Sequence, residues 1–303
     1  TKSVQHLENR LKVKLLNRTT RRVTVTPDGA AYYERVRRVL ADIEELEGSV
    51  STARATPRGR IRVDVASSVA KLMVLPALPE FFKRYPDIQI DLGVSDRPVD
   101  LVSDNIDCVI RGGEITDPSL VARRVGMMLS GCCASPAYLE RHGIPTHPLE
   151  LESEQHSVVG YFSARTGRQF PMDFARGDER YQINGHYSVS VNDGNAYMAA
   201  ALEGLGIVQA PYFTIKPHAD AGELVSLLCD WETDPLPVYV VYASNRHLGT
   251  KLRVFVDWVA ELFAQHDQWQ RELIAQCAAR RSGCSTRGRP RRAPRQSSGD
   301  CSP

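Results

Sequence analysis

Residues 1–55 constrain the fold more than any other stretch of this chain, because three different patterns follow one another there. The first is helical: Val4, Leu7 and Leu11 recur at helical spacing and form one apolar edge. The second is a basic segment with strand period, and the third is a long run of apolar residues spaced by threes and fours. Residues 1–55 are therefore predicted to form a helix, a hairpin and a second helix.

The other face of the first predicted helix is polar. Its outward side chains are predicted to be Lys2, Ser3, Gln5, His6, Asn9 and Arg10. Such side chains donate and accept hydrogen bonds at base edges and phosphates, as a helix in a DNA major groove must do. The alternative is an ordinary solvated face, since a charged helix face usually only meets water.

The basic segment 15–26 is predicted to be an exposed hairpin. Val23 and Val25 alternate with polar residues at strand period, and four polar residues separate them from the preceding run. A basic hairpin tip suits contacts with phosphates or with the minor groove. The residues predicted to make those contacts are Arg18, Thr19, Thr20, Arg21 and Arg22.

The third pattern begins at Thr26-Pro27-Asp28, which is typical of a helix start. Thr26 can cap the helix, Pro27 suits its first position, and Asp28 favours the positive end of its dipole. A narrow apolar stripe follows, made of Tyr33, Val36, Leu40, Ile43, Leu46 and Val50. A stripe with no partner inside the segment predicts pairing with a second copy of the helix.

The order of these elements resembles one protein family. A recognition helix, the stretch NRTTRRVTVTPDGAAYYERV and a dimerising helix resemble the end of the winged helix-turn-helix of LysR-type transcriptional regulators, and the match continues to about Ala264. The resemblance implies a partial winged helix-turn-helix over 1–26 and a linker helix over 27–56. The family's first helix and most of its second have no counterpart here. We therefore expect a truncated regulator whose DNA-binding domain does not fold properly as written.

The middle of the chain is predicted to be an α/β domain. Strands are expected at 60–65, 88–94, 106–110, 121–125, 128–133, 158–162, 187–191, 207–210 and 238–242. Helices are expected after residues 68 and 135, at 196–205 and at 252–263, with a helical turn at 99–102, a short helix near 148 and an exposed loop at 163–180 that includes a strand near Phe170. This alternation indicates a mainly parallel sheet with helices on both faces.

The resemblance gives this region a more specific architecture. The effector-binding domain of LysR-type regulators is similar to periplasmic solute-binding proteins, so residues 57–265 are expected to form two α/β lobes joined by two crossing strands. Lobe one would comprise about 60–132 and 238–265, and lobe two about 133–237. The stretch DLGVSDRPVDLVSDNIDCVIRGGEITDPSLVARRVG resembles the subgroup that regulates aromatic and dicarboxylic acid metabolism.

Ligands of open α/β sheets sit beyond the carboxyl ends of strands, and four places in the chain qualify. The predicted effector-binding residues are Ser67, Ser68, Arg111, Gly112, Tyr161, Phe162, Asp193 and Asn195. Free backbone N–H groups at a helix start and a guanidinium favour a small organic anion. Each residue also has a structural interpretation: the serines and Asp193 as helix caps, Arg111 in an ion pair, and the aromatic rings in the core.

Charge is unevenly distributed along the chain. Residues 1–60 carry 13 Lys and Arg against 7 Asp and Glu, and residues 280–303 carry 7 Arg against one Asp, whereas the net charge of the whole is +2. Basic ends around an acidic body indicate that double-stranded DNA contacts the ends only. The tail 277–303 is predicted to be disordered, and its Arg287-Gly288-Arg289-Pro290 resembles a minor-groove AT-hook, a tetrapeptide that such composition also produces by chance.

Other classes of function lack support in the sequence. The seven cysteines form no CxxC pair and have no histidine at zinc spacing, so free core thiols are expected, with redox sensing by Cys132 or Cys133 as the alternative. There is no catalytic motif, so we expect no enzyme, no metal and no cofactor. No apolar run spans a membrane and no secretion signal is visible, so a cytoplasmic location is expected.

The sequence therefore predicts a LysR-type regulator that binds operator or promoter DNA as a homodimer or homotetramer and responds to a small organic acid. The alternative is a solute-binding protein that captures a small anion without touching DNA.

Overall fold

The computed structural model describes residues 2–18, 22–33, 35–36, 39–40, 43, 56–101, 103–113, 115, 117–244 and 249–266. Predictions for Leu46, Val50 and the tail from residue 277 lie outside this set. No helix among the described residues is both long enough and apolar enough to cross a membrane.

The helix, hairpin and second helix predicted near the amino end are confirmed. They are helix α1 (Lys2–Leu11), strands β1 (Leu16–Arg18) and β2 (Val23–Val25), and helix α2, in which residues 27–33, 35–36, 39–40 and 43 are helical. The Glu8 carboxylate joins α1 to the hairpin, because it accepts hydrogen bonds from the Leu15 and Leu16 amides at 2.8 and 2.9 Å. Those bonds lower the pKa of Glu8.

Thr26 caps helix α2 as predicted. Its hydroxyl oxygen accepts a hydrogen bond from the Gly29 amide at 2.9 Å, and the hydroxyl donates to the Lys14 carbonyl at 2.7 Å. Gly29 packs directly on the hairpin, where a Cβ atom would collide with the Leu15 carbonyl. A glycine is therefore required where α2 meets the hairpin.

Among the described residues after α2 there are twelve strands, five helices and one short 3-10 helix. The strands are β3 (Gly59–Val65), β4 (Ile88–Val94), β5 (Cys108–Gly112), β6 (Leu120–Met128), β7 (Ser130–Ala134), β8 (Gly160–Tyr161), β9 (Met172–Arg176), β10 (Glu179–Ile183), β11 (Ser190–Val191), β12 (Val208–Pro211), β13 (Val225–Leu227) and β14 (Leu236–Ala243). The helices are α3, which runs Ser67–Val69, through a π-helical turn Ala70–Val74, to Leu75–Arg84, then α4 (Pro136–His142), α5 (Gly194–Leu202), α6 (Tyr212–Asp220) and α7 (residues 250–266). The 3-10 helix is Pro148–Glu152.

The strands form two principal sheets. The first has the order β4-β3-β5-β14-β6; its strands share one direction except β14, which is antiparallel to both neighbours. The predicted mainly parallel sheet is therefore right for this unit, which we name lobe one together with α3 and α7. The second sheet, β12-β7-β13, contains only antiparallel pairs, whereas β8 and β11 pair in parallel, so the prediction is right only in part there. We name this unit, β7 to β13 with α4 to α6, lobe two.

Burial explains the strands of lobe one. Ile61, Val63 and Val65 of β3 are all fully buried, as expected for a strand with neighbours on both sides. Helices α3 and α7 cover the sheet, and the Phe81 ring lies 5.8 Å from the Phe255 ring and 4.9 Å from the Trp258 ring. One hydrophobic cluster thus ties the first helix of this lobe to the last.

Some local predictions are right only in part. Residues 163–171 form an exposed loop as predicted, but β9 and the first two residues of β10 occupy most of 172–180 and bury Met172 and Phe174. The helical turn predicted at 99–102 is present in part, because the Asp104 amide donates to the Asp100 carbonyl at 2.9 Å, one helical turn away. Helix α6 and strand β13 were not predicted, because Pro217 interrupts the apolar period of α6 and β13 has three residues.

Two connections join the lobes, one between β6 and β7 and the other before β14. They are hydrogen-bonded to each other: the Ser130 amide donates to the Thr233 hydroxyl oxygen at 3.3 Å, and that hydroxyl donates to the Ser130 carbonyl at 3.0 Å. The predicted boundary at 132/133 falls inside β7, a strand that lies wholly in the second sheet. We therefore place the first crossing at Leu129.

Candidate effector site and DNA-binding face

The carboxylate of Asp96 lies where several predicted effector residues converge. One of its oxygens accepts a hydrogen bond from the Ser67 amide at 2.7 Å. The other accepts from the Ser67 hydroxyl at 2.9 Å, the Gly194 amide at 2.7 Å and the Tyr161 hydroxyl at 3.4 Å. Ser67 belongs to lobe one and the other two donors to lobe two, so this carboxylate connects the lobes.

Ser67 and Ser68 lie at the start of α3, as predicted. Ser67 is buried and directs both of its polar hydrogens at Asp96, while the position before the helix, Ala66, provides no side-chain cap. The interpretation of Ser67 as its own helix cap is therefore wrong. Ser68 faces lobe two, because a Cβ atom on Gly194 would lie 3.1 Å from the Ser68 hydroxyl oxygen. The two helix starts meet here with little intervening space.

Arg111 is half of a buried ion pair, the alternative that the sequence left open. Its guanidinium donates to the Asp64 carboxylate and to the Arg97 carbonyl, the latter at 3.3 Å. Burial raises the pKa of Asp64, and the charge of Arg111 opposes that rise. Gly112 follows on β5 and its Cα faces the Leu236 side chain. Arg111 thus has its charge matched within lobe one.

Tyr161 and Phe162 form part of the lobe-two wall. The Tyr161 ring lies 5.2 Å from the Tyr197 ring and 6.2 Å from the Phe170 ring, and burial together with the carboxylates of Asp96 and Asp193 raises the pKa of Tyr161. Phe162 is half-buried, and its amide donates to the Val191 carbonyl at 2.9 Å.

Asp193 caps α5, as its structural interpretation proposed. Its carboxylate accepts a hydrogen bond from the Ala196 amide at 2.8 Å. Asn195 lies in the first turn of the same helix and is half-buried. Of the predicted residues, Ser67 and Tyr161 donate to Asp96, and the amide of α5 that does so belongs to Gly194, between the predicted Asp193 and Asn195.

Sequence reasoning missed the two carboxylates that organise the site. Asp64 lies inside the predicted strand 60–65, and Asp96 follows the predicted strand 88–94. A signal for Asp96 was present, because it follows β4 at the same sheet edge at which Ser67 follows β3. The rule that selected Ser67 would have selected Asp96.

The predicted DNA-binding face is exposed. Lys2, Ser3, Gln5, His6 and Arg10 are exposed on α1, whereas the apolar edge of Val4, Leu7 and Leu11 is half-buried. Arg18 is exposed at the end of β1, and Arg22 is exposed just before β2. Thr19, Thr20 and Arg21 lie outside the described residues. A row of polar and basic side chains therefore faces away from the rest of the chain.

The thiols and histidines do not form a chemical centre. Cys108, Cys132 and Cys133 are free and buried, and burial raises the pKa of Cys132 to about 12, which argues against a redox sensor. Cys229, by contrast, is disulfide-bonded. Within the described ranges, no group of three or more His, Cys, Asp or Glu residues could hold a metal ion.

One further concavity lies elsewhere. A groove of about 350 Å³ runs between α3, α6 and α7 and is lined by Leu72, Phe213, Pro217, Gln265 and His266. None of the predicted effector residues lines it, so it is not the predicted cleft.

Comparison with known proteins identifies the architecture. The family model of the LysR substrate binding domain matches residues 54–264. An HTH-type transcriptional repressor of Pseudomonas aeruginosa is 38% identical over 272 residues, which is 90% of this chain and 85% of the relative.

Solved structures agree with that result. The LysR-type regulator CrgA of Neisseria meningitidis is 30% identical, with a TM-score of 0.61 over 86% of this chain and 88% of its own. The full-length Vibrio cholerae virulence activator AphB is also 30% identical, with a TM-score of 0.58 over 85% and 87% of the two chains.

Proposed function

The chain belongs to the LysR-type transcriptional regulators and is a DNA-binding transcriptional regulator, and from that premise we propose that a small organic anion bound between its lobes controls its binding to DNA. Its relatives are regulators, not enzymes. Their helix-turn-helix names also disfavour a solute-binding protein that never touches DNA. Because its partner is chromosomal DNA, we propose a cytoplasmic location.

The effector proposal rests on one observation: the Asp96 carboxylate accepts hydrogen bonds from donors of both lobes. Two backbone amides at helix starts and two hydroxyl groups converge on one position, and such donors favour an anion. Ser68, Tyr161, Phe162, Asp193 and Asn195 would form the surroundings of the bound molecule. Arg111 and Gly112 would influence the bound effector only indirectly, since the Arg111 guanidinium already binds Asp64.

The lobes offer the motion that a response to an effector requires. We propose that lobe one, about 60–129 and 238–265, rotates against lobe two about the paired connections at Ser130 and Thr233. An effector that binds better to one lobe arrangement shifts the population toward it. That shift would alter the spacing of the two DNA-reading heads in an oligomer.

At the other end of the chain, we propose that α1 reads the major groove. Lys2, Ser3, Gln5, His6 and Arg10 would contact bases and phosphates, and Arg18, Thr19, Thr20, Arg21 and Arg22 would hold the backbone from the hairpin. LysR-type regulators form oligomers, and exposed Leu40 and Ile43 on α2 (53% and 44%) support pairing of this helix with a second copy as homodimer or homotetramer.

The proposal is tested by DNA binding with and without candidate anions. Because α1 is expected to need the preceding family helices, the assay uses this chain and a version with those helices added, on DNA flanking its gene. We expect affinity to fall steeply with salt and to change when benzoate or succinate is added. If DNA binding depends on salt but no added carboxylate alters it, the chain is still a DNA-binding regulator and the anionic effector is refuted.

Single variants separate the DNA contacts. Arg18→Ala should reduce the slope of log affinity against log salt by about 1, since one phosphate contact is lost. Arg84→Ala, an exposed arginine of α3, is the matched control and should leave the slope unchanged. Equal slopes for the two variants would remove Arg18 from the interface.

A further inference from the structure

The contacts of Asp96 differ from those of an ordinary loop carboxylate. Asp96 follows β4, yet its oxygens accept hydrogen bonds from Ser67, 29 residues away, and from Gly194, 98 residues away. The Ser67 hydroxyl and the Tyr161 hydroxyl complete the set. A single side chain thus uses donors from the first turn of α3, the first turn of α5 and the wall of lobe two.

Neutral groups hold this carboxylate. Among the described residues no Lys, Arg or His forms an ion pair with Asp96, and the guanidinium of Arg111 is bound to Asp64 instead. Backbone amides at helix starts together with hydroxyl groups stabilise the negative charge. The same donors in the same positions suit the carboxylate of a small organic acid.

We propose that Asp96 is a built-in occupant of the effector's carboxylate position, so that an effector must displace Asp96 before it can bind. The inference rests on the proposed anionic effector. The donors cannot bind two carboxylates at once, and two carboxylates side by side at these donors would repel each other. In the absence of effector, Asp96 itself supplies the contact between the lobes.

The surroundings of Asp96 allow such an exchange. Its neighbours Arg97 and Pro98 are exposed, and Asp96 itself is only half-buried at the edge of lobe one. A carboxylate that leaves the donors therefore returns to water. If Asp96 occupies the position about nine-tenths of the time, its removal should strengthen the binding of an external carboxylate about tenfold.

Chemical rescue distinguishes an occupant from a side chain that only supports the fold. Asp96→Ala empties the position, and acetate is the probe because it replaces the missing carboxylate. We expect acetate to raise the Tm of Asp96→Ala saturably and to restore slow hydrogen exchange at the Ser67 and Gly194 amides, relative to chloride at equal ionic strength. Wild-type protein should not respond at the same concentrations.

Two variants guard the interpretation. Asp104→Ala removes another lobe-one carboxylate, one that accepts from the Asp100 amide within its own loop, and it should show no acetate effect. Asp96→Asn keeps the shape of the side chain without its charge, so it tests the proposal if Asp96→Ala does not fold. It should bind benzoate about tenfold more tightly than the wild type.

The outcomes separate this inference from the proposed function. No acetate effect on Asp96→Ala, with unchanged benzoate affinity in Asp96→Asn, would overturn the occupant. If benzoate or succinate still altered DNA binding of the wild type, the anionic effector would stand without it. Suppose instead that acetate rescues Asp96→Ala but no carboxylate alters DNA binding of the wild type. Asp96 would then still occupy a carboxylate-binding position, and the anionic effector would be refuted.

Discussion

Lobes one and two differ in how their interiors are packed and hydrogen-bonded. Lobe one has one large hydrophobic cluster, which joins its sheet to α3 and α7, and a small second cluster of Leu101, Val109 and Val241. Lobe two has two smaller clusters, and it contains the three buried side-chain atoms of the described chain that lack a hydrogen-bond partner: His156 Nδ1, Gln169 Oε1 and Trp231 Nε1. Unpaired buried polar atoms cost stability. Lobe two is therefore expected to be altered more easily than lobe one.

The largest expected effect comes from a substitution that creates a cavity in lobe one. Phe81 is fully buried against the rings of Phe255 and Trp258, so Phe81→Ala should lower the free energy of unfolding by about 3–5 kcal/mol. Urea denaturation followed by tryptophan fluorescence measures the loss. The exposed neighbour Phe82, at 37% exposure, is the matched control, and Phe82→Ala should cost much less. Similar losses for both would show that α3 is not the covering layer of lobe one.

The second test concerns ion pairs within lobe one. Arg111→Ala leaves the buried carboxylate of Asp64 without its partner and should lower the free energy of unfolding by about 3–5 kcal/mol. Arg84→Ala breaks the exposed pair with Glu261 and should cost about 0–1 kcal/mol. Urea titrations of both variants measure the difference. Equal losses of unfolding free energy would mean that water reaches the Asp64 carboxylate, although its side chain is buried in lobe one.

The third test is the pH dependence of lobe two. Burial lowers the pKa of His156, so the unfolded state binds a proton more readily than the folded state. Stability should be full above the unfolded pKa of about 6.5 and should fall as the pH drops below it toward the folded pKa. His156→Gln should flatten that part of the profile in urea melts between pH 8 and 5, whereas exposed His6→Gln should not. An unchanged slope in His156→Gln would assign the dependence to another group.

The smallest expected effect is the reactivity of the lobe-two thiols. Because burial raises the pKa of Cys132 to about 12, almost no thiolate is present at neutral pH. Iodoacetamide should leave Cys132 and Cys133 unlabelled in the native protein and label both in urea, as read by mass spectrometry of peptides. Native labelling of either cysteine would show that lobe two opens locally.

Much of the fold followed from periodicity. The helix, hairpin and helix of residues 2–43 were predictable because the spacing of apolar and polar residues and a capping threonine are local signals. Strands β3 and β4 and helix α7 were predictable because their apolar residues are strongly periodic. The hairpin β9–β10 was not predictable, because Arg and Gly obscure the buried Met172 and Phe174. Helix α6 was missed because Pro217 interrupts its period.

The sequence by itself determined the family, the polar face of α1 and the set of strand ends from which a site could be built, because these depend on the order and local spacing of residues. Only the tertiary structure decided how those ends are used. It paired Arg111 with Asp64 and placed Asp96 on donors from both lobes. Such contacts join residues up to 98 positions apart, and their geometry is set by the packing of the two sheets, which no local pattern encodes.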